Sequence, residues 1–273
     1  MVRPVRYALW AALLYMAAAS AVEVTQSIGQ YRANADWVTS SEGGQKPVVL
    51  IVHGTMGHKD MELVQQTQEL LQENGYDSLA INLTLNRDNR RGFMPCDVPQ
   101  THRHEDAMRE IAAWSRWLRD QSRHEIVLLG HSRGGLQVAQ YQAETADSAV
   151  QALAMLAPMA NRRQKNEDRS AKKQPGKQFL HCPDAPSVSE QSRKSYARSG
   201  GVSLTEALSR VTVPADVFIG SEDNSTAVIT SDEIRWDPEL RHVDAHLIEG
   251  ADHFFRDLYL DEVIEILVER WAE

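Results

Sequence analysis

The stretch Ile126-Val127-Leu128-Leu129-Gly130-His131-Ser132-Arg133-Gly134-Gly135 decides the reading of this chain. Four apolar residues, two of them β-branched, have the length and composition of a buried strand. Directly behind them stands a GxSxG sequence centred on Ser132. At the end of a strand such a sequence makes a sharp turn that lifts a serine to the top of a sheet, within reach of a base and of oxyanion donors. Glycine suits Gly130 and Gly134 because strand and helix backbones pass closely there and a β-carbon would clash. GxSxG arises by chance in roughly one chain in ten of this length, so the meaning of Ser132 rests on its surroundings.

Outward from that turn, apolar runs alternate with segments of helical period, the pattern of parallel strands joined by crossover helices. The expected strands are Val48 to Val52, Ser78 to Leu83, Ile126 to Leu129, Gln151 to Leu156, Ala215 to Ile219 and His246 to Ile248. Helices are expected near Met61 to Asn74, Glu105 to Gln121, Leu136 to Thr145 and Asp257 to Trp271. Ala107, Met108, Ile111, Ala112, Trp114, Ser115 and Leu118 repeat at three and four residues and give the second helix one sheet-facing side. Residues 22 to 46 read as one or two antiparallel edge strands. The expected architecture is α/β: a mostly parallel, doubly wound sheet with helices on both faces.

One segment breaks the alternation. Residues 161 to 200 hold ten Lys or Arg against four Asp or Glu, a local excess of +6. The region of about 161–204 reads as a short polar lid inserted over the catalytic end of the sheet, or as a solvated loop. As a basic lid it favours anionic substrates or surfaces.

The chain has 273 residues. Arg3 and Arg6 precede an uncharged run from Tyr7 to Val22 that ends in Ala19-Ser20-Ala21, so residues 1–21 read as a signal peptide cleaved after Ala21. The run is shorter than the ~18 to 20 residues that cross a bilayer, so no membrane span is expected after its removal. Residues 22–273 then form one domain in the periplasm or outside the cell. The net charge of −9, or −11 without Arg3 and Arg6, repels phosphate backbones and argues against nucleic acid as a partner. Cys96 and Cys182 are the two cysteines. Both stand in polar, proline-bearing loops, and in an exported protein the pair suggests a disulfide. Free thiols are the alternative; with His181 the two make an incomplete metal set, and no metal or cofactor is expected.

A nucleophilic serine needs a base, a carboxylate to orient the base, and donors for the oxyanion. Asp223 follows the expected strand Asp216-Val217-Phe218-Ile219 in Gly220-Ser221-Glu222-Asp223. His253 follows the next strand in Gly250-Ala251-Asp252-His253. With the turn at His53-Gly54, these motifs stand in the order of the α/β-hydrolases, and from about Val48 onward the chain resembles the bacterial esterases and lipases of that superfamily. The resemblance implies that Ser132 is the nucleophile, His253 the general base and acid, and Asp223 the orienting carboxylate. It further implies that the backbone N–H groups of Thr55 and Arg133 bind the oxyanion. Glu222 is the alternative acid. Asp252, adjacent to His253 in sequence, is badly placed for its Nδ1 and reads as a loop tie. His131 reads as packed under the turn and His53 as structural. His102 and His104 read as solvated residues at a helix start, their spacing putting them on different helix faces.

The expected activity is hydrolysis of a small-molecule carboxylic ester through an acyl-enzyme. Thioesters and peptides are alternative substrates for the same machinery. A binding protein without turnover, and haloperoxidase- or lyase-like use of the pocket, are the readings from other classes.

Overall fold

The computed structural model describes residues 21–41, 44–160, 178–198, 201–225, 228–235 and 237–272. The expected signal peptide, apart from Ala21, and residues 161–177 and 199–200 of the expected lid lie outside the described residues.

Eight strands form one sheet: β1 (Val22–Ile28), β2 (Tyr31–Val38), β3 (Val48–Val52), β4 (Ser78–Asn82), β5 (Ile126–His131), β6 (Val150–Leu156), β7 (Ala215–Gly220) and β8 (Val243–Ile248). Their spatial order is β1-β2-β4-β3-β5-β6-β7-β8. β1 pairs antiparallel with β2 and β2 with β4, while every other pair is parallel. The ambiguous segment after residue 21 is thus a hairpin that extends one edge. β3, β5 and β7 are buried along their whole length. That is why they read as unbroken apolar runs: both faces of a parallel sheet are covered.

The helices are α1 (Glu62–Glu73), α2 (Asp106–Asp120), α3 (Arg133–Thr145), α4 (Glu190–Arg198), α5 (Leu204–Leu208), α6 (Ser231–Arg235) and α7 (Tyr259–Trp271). The two-residue period of the strands divides the core between two layers. Val48, Leu50 and Val52 of β3, with Ile126 and Leu128 of β5, face Ile111, Trp114 and Leu118 of α2 and Leu136 and Val138 of α3. Val49, Ile51, Val127 and Leu129 face the other way, toward Leu63 and Leu71 of α1 and Val263, Ile264 and Leu267 of α7. The doubly wound architecture is therefore as expected.

The differences are local. β8 starts at Val243, three residues before the expected His246, since as a partly exposed edge strand it lacks an apolar run there. α3 starts at Arg133, because Gly134 and Gly135 are helical in spite of their low propensity. The region that loses its apolar runs holds α4, and α5 begins at its last residue, Leu204. Among the described residues, no helix is long and apolar enough to cross a membrane.

Candidate active site

β5 ends at His131, and Ser132 turns the chain into α3 with φ 54° and ψ −116°. A non-glycine residue there carries of order 1–3 kcal/mol of strain and persists only where its surroundings hold it. They do so on both sides. Ser132 N–H donates to Leu156 O of β6 at 2.8 Å, and Ser132 O accepts from Met159 N–H at 3.1 Å. The turn also depends on two glycines: a β-carbon on Gly130 would stand 2.5 Å from the carbonyl of Gly134, and one on Gly134 would overlap Val52 O of β3.

Ser132 lines a cavity of about 620 Å³ together with Gly54, Thr55, Arg133, His131 and His253. His253 comes from the loop between β8 and α7. Its Nδ1–H donates to Asp223 Oδ2 at 2.6 Å, and Asp223 Oδ1 accepts from Ser225 N–H at 2.9 Å. The Asp223 side chain is 2% exposed and that of His253 is 24% exposed, so the carboxylate is buried behind a ring that reaches the cavity. Asp223 thus fixes the tautomer in which Nε2 carries the lone pair. No hydrogen bond joins the Ser132 hydroxyl to His253 among the described residues; in ligand-free active sites such contacts are often long and tighten on substrate binding.

Each alternative from the sequence has a definite place. Glu222 is exposed, and its N–H holds Ala251 O at 2.9 Å. Asp252 accepts from the N–H groups of Phe254 and Arg256 and pairs with the Arg256 guanidinium, the expected loop tie. His131 is buried and does more than pack. Its Nε2–H donates to His253 O at 2.9 Å, so the residue before Ser132 holds the backbone of the histidine loop. Burial, and then the charge on His253, drive its pKa down to about 4.

His53, fully buried, donates from Nδ1 to Gly54 O at 2.8 Å and accepts at Nε2 from Leu83 N–H and the Arg90 guanidinium. Burial, reinforced by Arg90, lowers its pKa to about 3, and the role is structural. Arg90 also donates to Leu83 O, Asn82 Oδ1 and Gly92 O, which organises the loop after β4.

Two histidines need correction. His102 and His104 are fully buried, not solvated. His102 donates from Nε2 to Gln100 Oε1 at 3.0 Å and accepts at Nδ1 from the Tyr196 hydroxyl at 2.7 Å. His104 donates from Nε2 to Gln140 Oε1 at 2.6 Å. Apart from Gln100, their partners lie on α3 and α4, remote in sequence, so no local pattern signals the burial. Desolvation, followed by nearby guanidinium charge, takes the pKa of His102 to about 3 and that of His104 to about 4.

Sequence reasoning also missed the side chain of Arg133. It is buried under Tyr196, whose ring centroid lies 5.1 Å from the guanidinium carbon, and its Nε donates to Thr55 Oγ1 at 3.0 Å. The residue that opens α3 therefore grips the loop that carries Thr55. Cys96 and Cys182 are bonded, with Cα atoms 5.3 Å apart. Among the described residues no group of three or more His, Cys, Asp or Glu side chains is arranged to hold a metal ion.

A family model described as the alpha/beta hydrolase fold matches residues 47–181, from before β3 to the residue preceding Cys182. No protein of curated function matches the sequence. Among solved structures, the chain is similar to Est1E from Butyrivibrio proteoclasticus with ferulic acid bound, at 20% identity and a TM-score of 0.70, over 92% of this chain and 100% of that one. It is similar to a dienelactone hydrolase from Anabaena variabilis at 18% identity and a TM-score of 0.62, over 94% and 98%. It is also similar to the esterase Pf2001 from Pyrococcus furiosus at 16% identity and a TM-score of 0.60, over 93% and 94%.

Proposed function

The chain belongs to the α/β-hydrolase superfamily, and from that premise we propose that it is a serine hydrolase acting on small carboxylic esters through Ser132, His253 and Asp223. One observation carries the reading. The strained turn of Ser132 shares a cavity with His253, whose Nδ1 is anchored to the buried Asp223 at 2.6 Å. Strain of this kind persists where it serves a site. The similarity to solved esterases agrees with the choice of substrate class.

The reaction follows from the arrangement. Ser132 Oγ attacks the ester carbonyl carbon as His253 Nε2 takes the hydroxyl proton, and Asp223 stabilises the imidazolium through Nδ1–H. The carbonyl π electrons move to oxygen, where the N–H groups of Thr55 and Arg133 receive the negative charge. Arg133 is the first residue of α3, and the N–H groups of a first helical turn lack intrahelical acceptors. Collapse of the intermediate breaks the bond to the alcohol, which leaves with the proton from His253 Nε2. Water then repeats the sequence on the acyl-enzyme and frees Ser132. None of these steps calls for a metal or a cofactor.

We place the activity outside the cytoplasm. The supports are the arginine-led apolar segment that ends at Ala21 and the pairing of both cysteines, since disulfides persist in oxidising compartments.

A fluorophosphonate probe, which reacts covalently with activated serines, tests the central claim. The parent protein is expected to label and a folded Ser132→Ala variant to remain unlabelled, with ester turnover reduced by about 10⁴-fold or more. A folded parent that does not label contradicts the assignment.

A further inference from the structure

Phe179-Leu180-His181-Cys182 is a tight turn in which Phe179 N–H donates to Cys182 O and Cys182 N–H to Phe179 O, each at 2.9 Å. Its tip residues, Leu180 and His181, line the cavity that holds Ser132. Phe93 lines the same cavity from the loop after β4 and is 61% exposed. That loop is tied to the residue following Thr55, since Met94 N–H donates to Met56 O at 3.0 Å. The foot of the turn, Cys182, is fully buried and bonded to Cys96 three residues beyond Phe93. Two segments separated by 86 residues thus both line one cavity and are joined covalently close to where they do so.

The anchorage is specific to this pair of segments. Phe179 packs edge-on to Tyr196 at 5.4 Å and against His102 at 5.8 Å, so the inner side of the turn is fixed while its tip reaches the cavity. Met61, Met159 and Phe254 complete the apolar lining among the described residues. Such a surface gains free energy by desolvating an apolar ligand group and gains little from a small polar one.

We propose that Phe93 and Leu180, held in register by the Cys96–Cys182 bond, form a specificity wall that selects esters with a bulky apolar group on one side of the scissile bond. The proposal rests on the serine-hydrolase reading and extends it to the substrate class. It makes selectivity dependent on oxidation: with the bond open, no covalent tie keeps the Leu180 turn in register with the Phe93 loop, and the contact surface for the apolar group is weakened.

The test compares kcat/KM in two substrate series, p-nitrophenyl octanoate against acetate for the acyl side, and 1-naphthyl acetate against ethyl acetate for the alcohol side. The proteins are the oxidised parent, the double variant Cys96→Ser with Cys182→Ser, and Leu180→Ala, which keeps the disulfide. The parent is expected to prefer the larger ester in one series, which identifies the side that the wall contacts. In that series the large-to-small ratio should fall about tenfold in both variants, carried mainly by KM of the larger ester. If the double variant fails to fold, as judged by circular dichroism, the Leu180→Ala ratio alone decides. Ratios within twofold of the parent's, or a parent that prefers the smaller ester in both series, overturn the specificity wall. If the parent still labels with the fluorophosphonate in that case, the serine-hydrolase reading stands. A folded parent that neither labels nor turns over any of the four esters overturns both.

Discussion

Arg133 shows how much one position can carry. Its backbone N–H opens α3 beside Ser132, and its side chain folds back under Tyr196 to grip the Thr55 hydroxyl at 3.0 Å. Both proposed oxyanion donors are thereby linked through one residue. Thr55→Val removes the acceptor of that grip and keeps the N–H. It is expected to lower kcat by about 10- to 100-fold with KM nearly unchanged, since a donor out of place loses strength mainly in the transition state. Thr55→Ser should restore the rate. Steady-state kinetics on a chromogenic ester separates the two parameters; a Thr55→Val enzyme with parental kcat would show that the grip has no part in catalysis. The proposed catalytic residues Ser132, Asp223 and His253 stand out in the sequence because each follows a strand on a glycine-marked turn. The supporting residues are not. Tyr196, His104 and Arg133 meet only through the tertiary fold, and no local spacing encodes their contact.

At the scale of elements, legibility followed burial. β3 and β5, covered on both faces, announce themselves as apolar runs, whereas β1 and β2 carry Glu23, Thr25, Arg32 and Asp36 and read ambiguously. α4 has one buried residue, Ser192, and so offers no apolar period. Besides the Tyr196 ring, which packs on Phe179 and Arg133, polar contacts hold it: Ser192 Oγ donates to Gln100 O at 3.2 Å, and Ser195 Oγ donates to the Glu105 carboxylate. An element with so little apolar burial depends on its tethers. The Cys96–Cys182 bond closes a loop of 86 residues that contains α2, β5, α3 and β6. In the chain-entropy account its removal should destabilise the protein by about 2–5 kcal/mol. Urea unfolding of the oxidised protein and of the double cysteine variant measures this. An unchanged midpoint would mean that the reduced unfolded chain gains no freedom from the cut.

For the whole molecule, the buried titratable groups set the response to acid. His53 and His102 are lowered to about 3, and His104 and His131 to about 4, in each case chiefly by burial. In the unfolded chain each titrates near 6.5, so as pH falls from 6.5 toward 4 the unfolded state comes to hold up to about four more protons than the folded state. Folding stability therefore drops over that window, each histidine contributing a slope of up to about 1.4 kcal/mol per pH unit. Glu110 works in the opposite sense. Burial raises its carboxyl to about 7, so the folded state is the one that holds the proton between about 4.5 and 7. Four groups outweigh one, and thermal midpoints are expected to fall steeply between pH 6.5 and 4, less steeply in a His104→Gln variant. Equal midpoints at pH 6.5 and 4.5 would contradict the balance.

The path of the chain through the sheet has a further consequence, for synthesis. Strand β5 and its serine lie in the middle of the sheet, but β8, the histidine loop and α7 come last in sequence, and α7 supplies Val263, Ile264 and Leu267 to one of the two core layers. On the proposed assignment, a growing polypeptide thus carries Ser132 for more than a hundred residues of elongation before His253 follows. The serine and its proposed base therefore meet only once β8 and the loop to α7 have joined the sheet.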